Sequence, residues 1–168
     1  YYKDFPELEL RCIFLNANTT GQYGYSYDTC NWFDEVVEDS PYRFLVFTHI
    51  SPAPEHNLKA SLGDIPGNTR ISETCQNSDK FIMLFSGHNH YDATFTEPFM
   101  ACSVNNQKFE NNSGYGSSYW PAGAVNPKRT LGNATEDCFD VVVVRPGSKK
   151  INLVRFGAGE DRELEYNN

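Results

Sequence analysis

The sequence lacks any apolar run approaching the roughly 18 residues that a membrane-spanning helix needs, which excludes that class of protein. It is short of basic charge. Fourteen Lys and Arg stand against 22 Asp and Glu, for a formal net charge of -8. A nucleic-acid backbone is held by clustered Lys and Arg, so this chain is poorly made for one as its main partner. It has no C-x-x-C among its five cysteines, Cys12, Cys30, Cys75, Cys102 and Cys138, which argues against a cysteine zinc site or a redox pair. It has no internal repeat, and only four histidines in 168 residues.

What is present is core-forming material. Apolar residues make up 39% and aromatics 14%, enough for a single packed domain. Glu7–Leu15 alternates and then turns fully apolar, as a strand entering a core does. Asn16–Tyr27 is a polar loop. Trp32, Phe33, Val36 and Val37 share one side of a helix that Asp28 would cap and that would run through Glu38. Arg43–Thr48 and Phe81–Phe85 are short apolar runs bounded by turn residues, which reads as buried strands. A short helix is expected around Arg70–Ser78, and one or two strands within Thr94–Val104. Asn105–Thr135 is a long loop rich in Asn, Gly and Ser. Asp140–Arg145 and Lys150–Phe156 flank a Pro146-Gly147 turn as a hairpin, and an acidic, exposed tail follows. Strand, helix, strand and then mostly strands predict a mixed, layered α/β domain.

The histidines carry the chemistry. FLVFTHISP ends one buried strand in His49, and FIMLFSGHNH ends the other in His88 and His90. Strand ends of layered α/β folds face the crevice where ligands bind, and neutral imidazole is the commonest metal ligand. An extended backbone would point the rings of His88 and His90 the same way, whereas a turn would splay them toward two neighbouring sites. Gly87 is placed to let the backbone kink just before them. Three imidazoles thus stand ready to converge on one metal or on a pair. His56, beside Glu55 in a Pro-rich loop, is expected to face solvent.

The two strands together resemble the last two metal motifs of the calcineurin-like metallophosphoesterases. In that family an apolar strand ends in a single His, often closely followed by Pro, and a later strand ends in GHxH. RCIFLNAN resembles the family's strand in which an aspartate or asparagine follows an apolar run, DTCNWFDEVVED resembles the helix before the first of those His motifs, and the closing DCFDVVVVRPGSKKINLVRFGAGEDRE resembles the terminal hairpin of bacterial and phage members. The resemblance implies an α/β/β/α sandwich and metal-dependent hydrolysis of a phosphate mono- or diester. His49 and His88 would bind one metal and His90 the other. The two ions, Mn, Fe or Zn, would polarise the phosphoryl oxygens and activate water for in-line attack. Asn89 and Asp92 would orient ligands, and Tyr115, Tyr119 and Trp120 in the long loop would meet the substrate. The family's first three motifs, D-x-H, G-D-x-x-D and G-N-H-D/E, do not occur in this sequence. They belong before residue 1, so residues 1–168 are expected to be the C-terminal portion of one such domain, partnered by an N-terminal half in cis or in trans. Two other readings stand beside this one. A non-catalytic component of a larger assembly would keep the fold without the chemistry. A metallo-β-lactamase-like hydrolase would match His88-x-His90-x-Asp92, but its next ligand position is occupied by Ala93.

Overall fold

Apolar strands separated by amphipathic helices pair in parallel, because a helical crossover returns the chain to the same end of the sheet. The computed structural model describes residues 1–18, 23–58, 67–105 and 117–166. Strands β2 (Leu10–Leu15), β3 (Arg43–Thr48), β4 (Phe81–Ser86) and β6 (Ala101–Ser103) lie parallel to one another. Strands β1 (Tyr2–Phe5) and β5 (Ala93–Phe95) pair antiparallel at the two edges, giving the order β1-β2-β3-β4-β6-β5. Helix α1 (Tyr27–Glu38) links β2 to β3, and α2 (Asn68–Asn77) links β3 to β4. Both helices cover one face of the sheet. Cys30, Phe33, Val36, Ile71 and Cys75 meet Ile13, Phe44, Val46 and Leu84 there in one buried cluster. Each large aliphatic or aromatic side chain buried in this way contributes about 1.5–3 kcal/mol.

The other face packs on a three-stranded antiparallel sheet, β7 (Cys138–Arg145), β8 (Lys150–Gly157) and β9 (Arg162–Glu165). Leu10, Leu45, Met83 and Phe85 meet Ile151, Leu153 and Tyr166 in this second core. The result is an α/β/β stack, in agreement with the layered α/β expectation. The second helical layer of an α/β/β/α sandwich is not formed by the described residues. The outer face of the small sheet instead presents Phe139, Val141, Val143, Val154 and Phe156, which are between 37% and 54% exposed.

Several local expectations change. Ser26, not Asp28, caps α1: its Oγ accepts from the Thr29 N–H at 3.2 Å, while Asp28 sits in the first turn, where its charge suits the helix dipole. The strand expected over Glu7–Leu15 is β2 and begins at Leu10, because Pro6–Leu8 form a 3-10 turn that returns the chain from β1 alongside it. The tail contains β9, with only Glu163 and Glu165 on its open side. Gly67 precedes α2 at φ 81°, and a Cβ there would lie 2.3 Å from the Tyr25 carbonyl oxygen, so close approach dictates glycine.

The largest correction concerns His56, which is fully buried rather than solvent-facing. Its ring stacks on Phe95 with centroids 4.3 Å apart. Nε2 lies 2.7 Å from the Glu97 carbonyl, which can only accept, so Nε2 carries the proton. Nδ1 therefore accepts from the Ser51 hydroxyl at 3.0 Å. This ties the loop after β3 to the segment between β5 and β6. All five cysteines are free thiols, and burial pushes that of Cys102 up to about 12.

Candidate metal centre

β3 and β4 run side by side and end at the same level, so His49 and the turn after Ser86 are neighbours by topology. The Gly87 N–H donates to the His49 carbonyl at 3.0 Å and extends the pairing one step past the strands. The chain then turns, but not at the glycine expected to make the bend. A Cβ at Gly87 would meet nothing closer than 3.8 Å. The left-handed residues are His88 at φ 68° and His90 at φ 54°. Left-handed backbone costs an L residue about 1–2 kcal/mol, so both histidines are held where isolated chains would not put them.

What holds them is the alternation of the turn. Asn89, Tyr91 and Asp92 are buried, whereas His88 and His90 are half-buried. Asn89 Nδ2 donates to Asn57 Oδ1 at 3.0 Å, and the Asn89 Oδ1 accepts from the Leu58 N–H at 3.4 Å. The Tyr91 hydroxyl donates to the His56 carbonyl at 2.7 Å. The Asp92 carboxylate turns away from the histidines to Arg155, at 2.7 Å.

The structure brings His49 and His88 together. His49 Nε2 and His88 Nδ1 lie 3.1 Å apart, with the rings nearly perpendicular at 82°. Burial, then the charges of nearby His49 and His90, holds the His88 imidazole below the usual histidine range, so it stays neutral at pH 7. His90 is close enough to contribute to that shift. Among the described residues no group of three or more His, Cys, Asp or Glu side chains forms a metal-holding cluster. The donor set nevertheless fits part of a metal site. Two nitrogens about 2.0–2.1 Å from a tetrahedral zinc sit about 3.3 Å from each other, close to the observed spacing.

Tyr23 is a neighbour that the sequence did not mark. Its ring meets His88 edge-on at 4.6 Å and lies 6.3 Å from His49, and it is 45% exposed. A tyrosine-rich loop after β2 was the sole hint. Tyr119 is also 45% exposed. Trp120 packs on Tyr91, 6.0 Å between centroids, in a small cluster with Leu58 and Ala93. Tyr115 lies outside the described residues.

The fold is similar to that of a dimetal phosphatase from Danio rerio. The TM-score is 0.54 at 15% sequence identity, over 87% of this chain and 40% of that one. The present chain therefore spans well under half the length of that phosphatase. No protein-family model and no curated protein matches the sequence.

Proposed function

We propose that this chain supplies histidine ligands to a metal-dependent phosphoester hydrolase. The observation that carries the reading is the facing of His49 Nε2 and His88 Nδ1 at the carboxyl ends of adjacent parallel strands, in a fold of dimetal-phosphatase type. In this reading His49 and His88 share one ion and His90 serves a second, with Mn, Fe or Zn as candidates. Such a pair of ions, when bound, stabilises charge on the phosphoryl oxygens of a mono- or diester. A neutral His88 can offer a ring lone pair to an ion, and the Tyr23 ring lies edge-on to it at 4.6 Å. Carboxylate and asparagine ligands would come from a further portion of the domain, in cis or in trans, and residues 1–168 alone would be inactive.

The test has two parts. The 168-residue chain should take up zinc weakly, and His88→Ala or His49→Ala should abolish the uptake. A longer natural chain should hydrolyse p-nitrophenyl phosphate or its bis-ester with Mn, and should lose that activity on the same exchanges. Retained turnover and metal content in His88→Ala would sink the assignment.

A second reading is a non-catalytic part of a larger assembly. It is favoured by the apolar outer face of the small sheet. It predicts no stoichiometric metal and no turnover at any chain length.

A further inference from the structure

The turn that presents the histidines is fastened to a buried ion network which the proposed chemistry does not use. Arg155 lies on the inner face of β8 with its side chain 3% exposed, and every one of its five N–H donors has an acceptor. Nη1 and Nη2 grip the two oxygens of Asp92 at 2.7 and 3.0 Å. Nε and Nη2 grip those of Asp140 at 2.7 and 3.0 Å. Nη1 also donates to the Ala158 carbonyl at 2.7 Å. Arg162 from β9 closes on Asp140 at 2.5 Å. Two guanidinium groups and two carboxylates make the cluster neutral, as burial demands.

Asp92 is the end of this network nearest the histidines. Its Oδ1 also accepts from the Asn105 N–H at 3.1 Å, and its backbone exchanges two hydrogen bonds with Val125, both 2.8 Å. It thus joins the histidine turn to the end of β6, to the segment around Val125 and, through Arg155, to the second sheet. Strained backbone persists only where its surroundings over-determine it. Of the inward anchors Asn89, Tyr91 and Asp92, the first two send their side-chain hydrogen bonds to the loop at 56–58, and Tyr91 also packs on Trp120. Asp92 alone of the three is tied by an ion pair to the other layer.

We propose that Arg155 is a positioning residue for the histidine turn, holding His88 and His90 in left-handed backbone through Asp92. This rests on the reading of the histidines as metal ligands, but its effect on the backbone can be measured without metal. Lysine could not replace it, because three donors around one nitrogen cannot fork two carboxylates at once.

The experiment uses Arg155→Lys and Asp92→Asn in the 168-residue chain, with Leu153→Ala as a control that damages the same strand and core away from Asp92. Each variant is studied at a temperature where circular dichroism shows it folded. Two quantities are read: the NMR backbone couplings and Cα shifts of His88 and His90, and the zinc Kd at pH 7.5. Arg155→Lys and Asp92→Asn should lose the left-handed signature and bind zinc about tenfold or more weakly, the usual scale for groups that orient ligands. Leu153→Ala should keep both at a comparable drop in Tm. Retention of signature and Kd in the two ion-network variants, or equal changes in the control, would overturn the proposal. Should Arg155→Lys not fold, Asp92→Asn decides, since it leaves the Arg155–Asp140–Arg162 unit in place. Should the parent bind no zinc, the metal reading falls and the NMR result still decides this one: signature lost upholds it, signature kept overturns it.

Discussion

Replacing His56 by Leu removes a titrating group from the core at nearly constant volume, and its consequence depends on pH in a definite way. The exchange removes the acceptor of the Ser51 O–H, whose oxygen still accepts from the Ala53 N–H at 3.3 Å, and the donor to the Glu97 carbonyl. Each buried polar group that loses its partner costs about 1–3 kcal/mol, so the loss at pH 7.5 should be about 2–6 kcal/mol. That is a large part of the 5–15 kcal/mol typical of a whole domain. The wild-type protein carries an opposing liability. Burial lowers the His56 pKa, against the raising effects of the Glu97 carbonyl and Glu55. The unfolded chain therefore binds a proton there more readily than the folded one. Stability is complete above the unfolded value near 6.5 and drains away as pH falls below it, until the folded pKa is reached. The slope is at most about 1.4 kcal/mol per pH unit. His56→Leu cannot show this loss. Urea unfolding of both proteins at pH 7.5 and 5.5 gives the difference directly. The gap between them should narrow at pH 5.5 by up to about 1.4 kcal/mol. A gap unchanged between the two pH values would refute the buried, neutral imidazole.

Three further perturbations have defined outcomes. Gly67→Ala should cost more than about 1 kcal/mol in urea titrations, because a left-handed φ and a 2.3 Å approach to Tyr25 oppose any Cβ. Tyr91→Phe should lower stability by about 1 kcal/mol through loss of the 2.7 Å bond to the His56 carbonyl, and thermal unfolding will report it as a fall of a few degrees in Tm. Val141→Glu, at a position 54% exposed, should change stability by no more than about 0.5 kcal/mol yet reduce concentration-dependent association in sedimentation velocity, because it breaks the apolar patch on the outer sheet.

How much of this was legible in the sequence depends on how local each cause is. β3 and β4 were readable, since RFLVFT and FIMLF are buried on both faces and turn residues bound them. Two strand ends carrying histidines made the convergence of His49 with the GHNH turn readable, whereas the particular pairing of His49 with His88 was implied by the family resemblance. β1 was not readable: YKDF has no apolar alternation and is a strand because β2 offers it an edge. His56 misled because its sequence neighbours, Pro54 and Glu55, belong to surface loops, whereas Phe95 and Glu97 bury it from about forty residues away. The backbone at Gly87 misled in a similar way. Local propensity puts a left-handed residue at glycine, and anchors from four other segments put it at His88 and His90 instead. Arg155 left a usable sign. Period-two alternation along KINLVRF places it on the same face as Ile151 and Leu153, and β7 places Asp140 opposite it. A charge on each of two inward faces is a pair in waiting.

The left-handed histidines also bear on what laboratory selection would do to this protein. Glycine at 88 or 90 would relax a backbone cost of about 1 kcal/mol, and asparagine some of it. A library enriched for thermal tolerance alone would drift toward those residues and discard the imidazoles. Positions where heat resistance and the native residue pull in opposite directions mark where other demands on the molecule are strongest, so the variants that survive heating best would outline the site by erasing it.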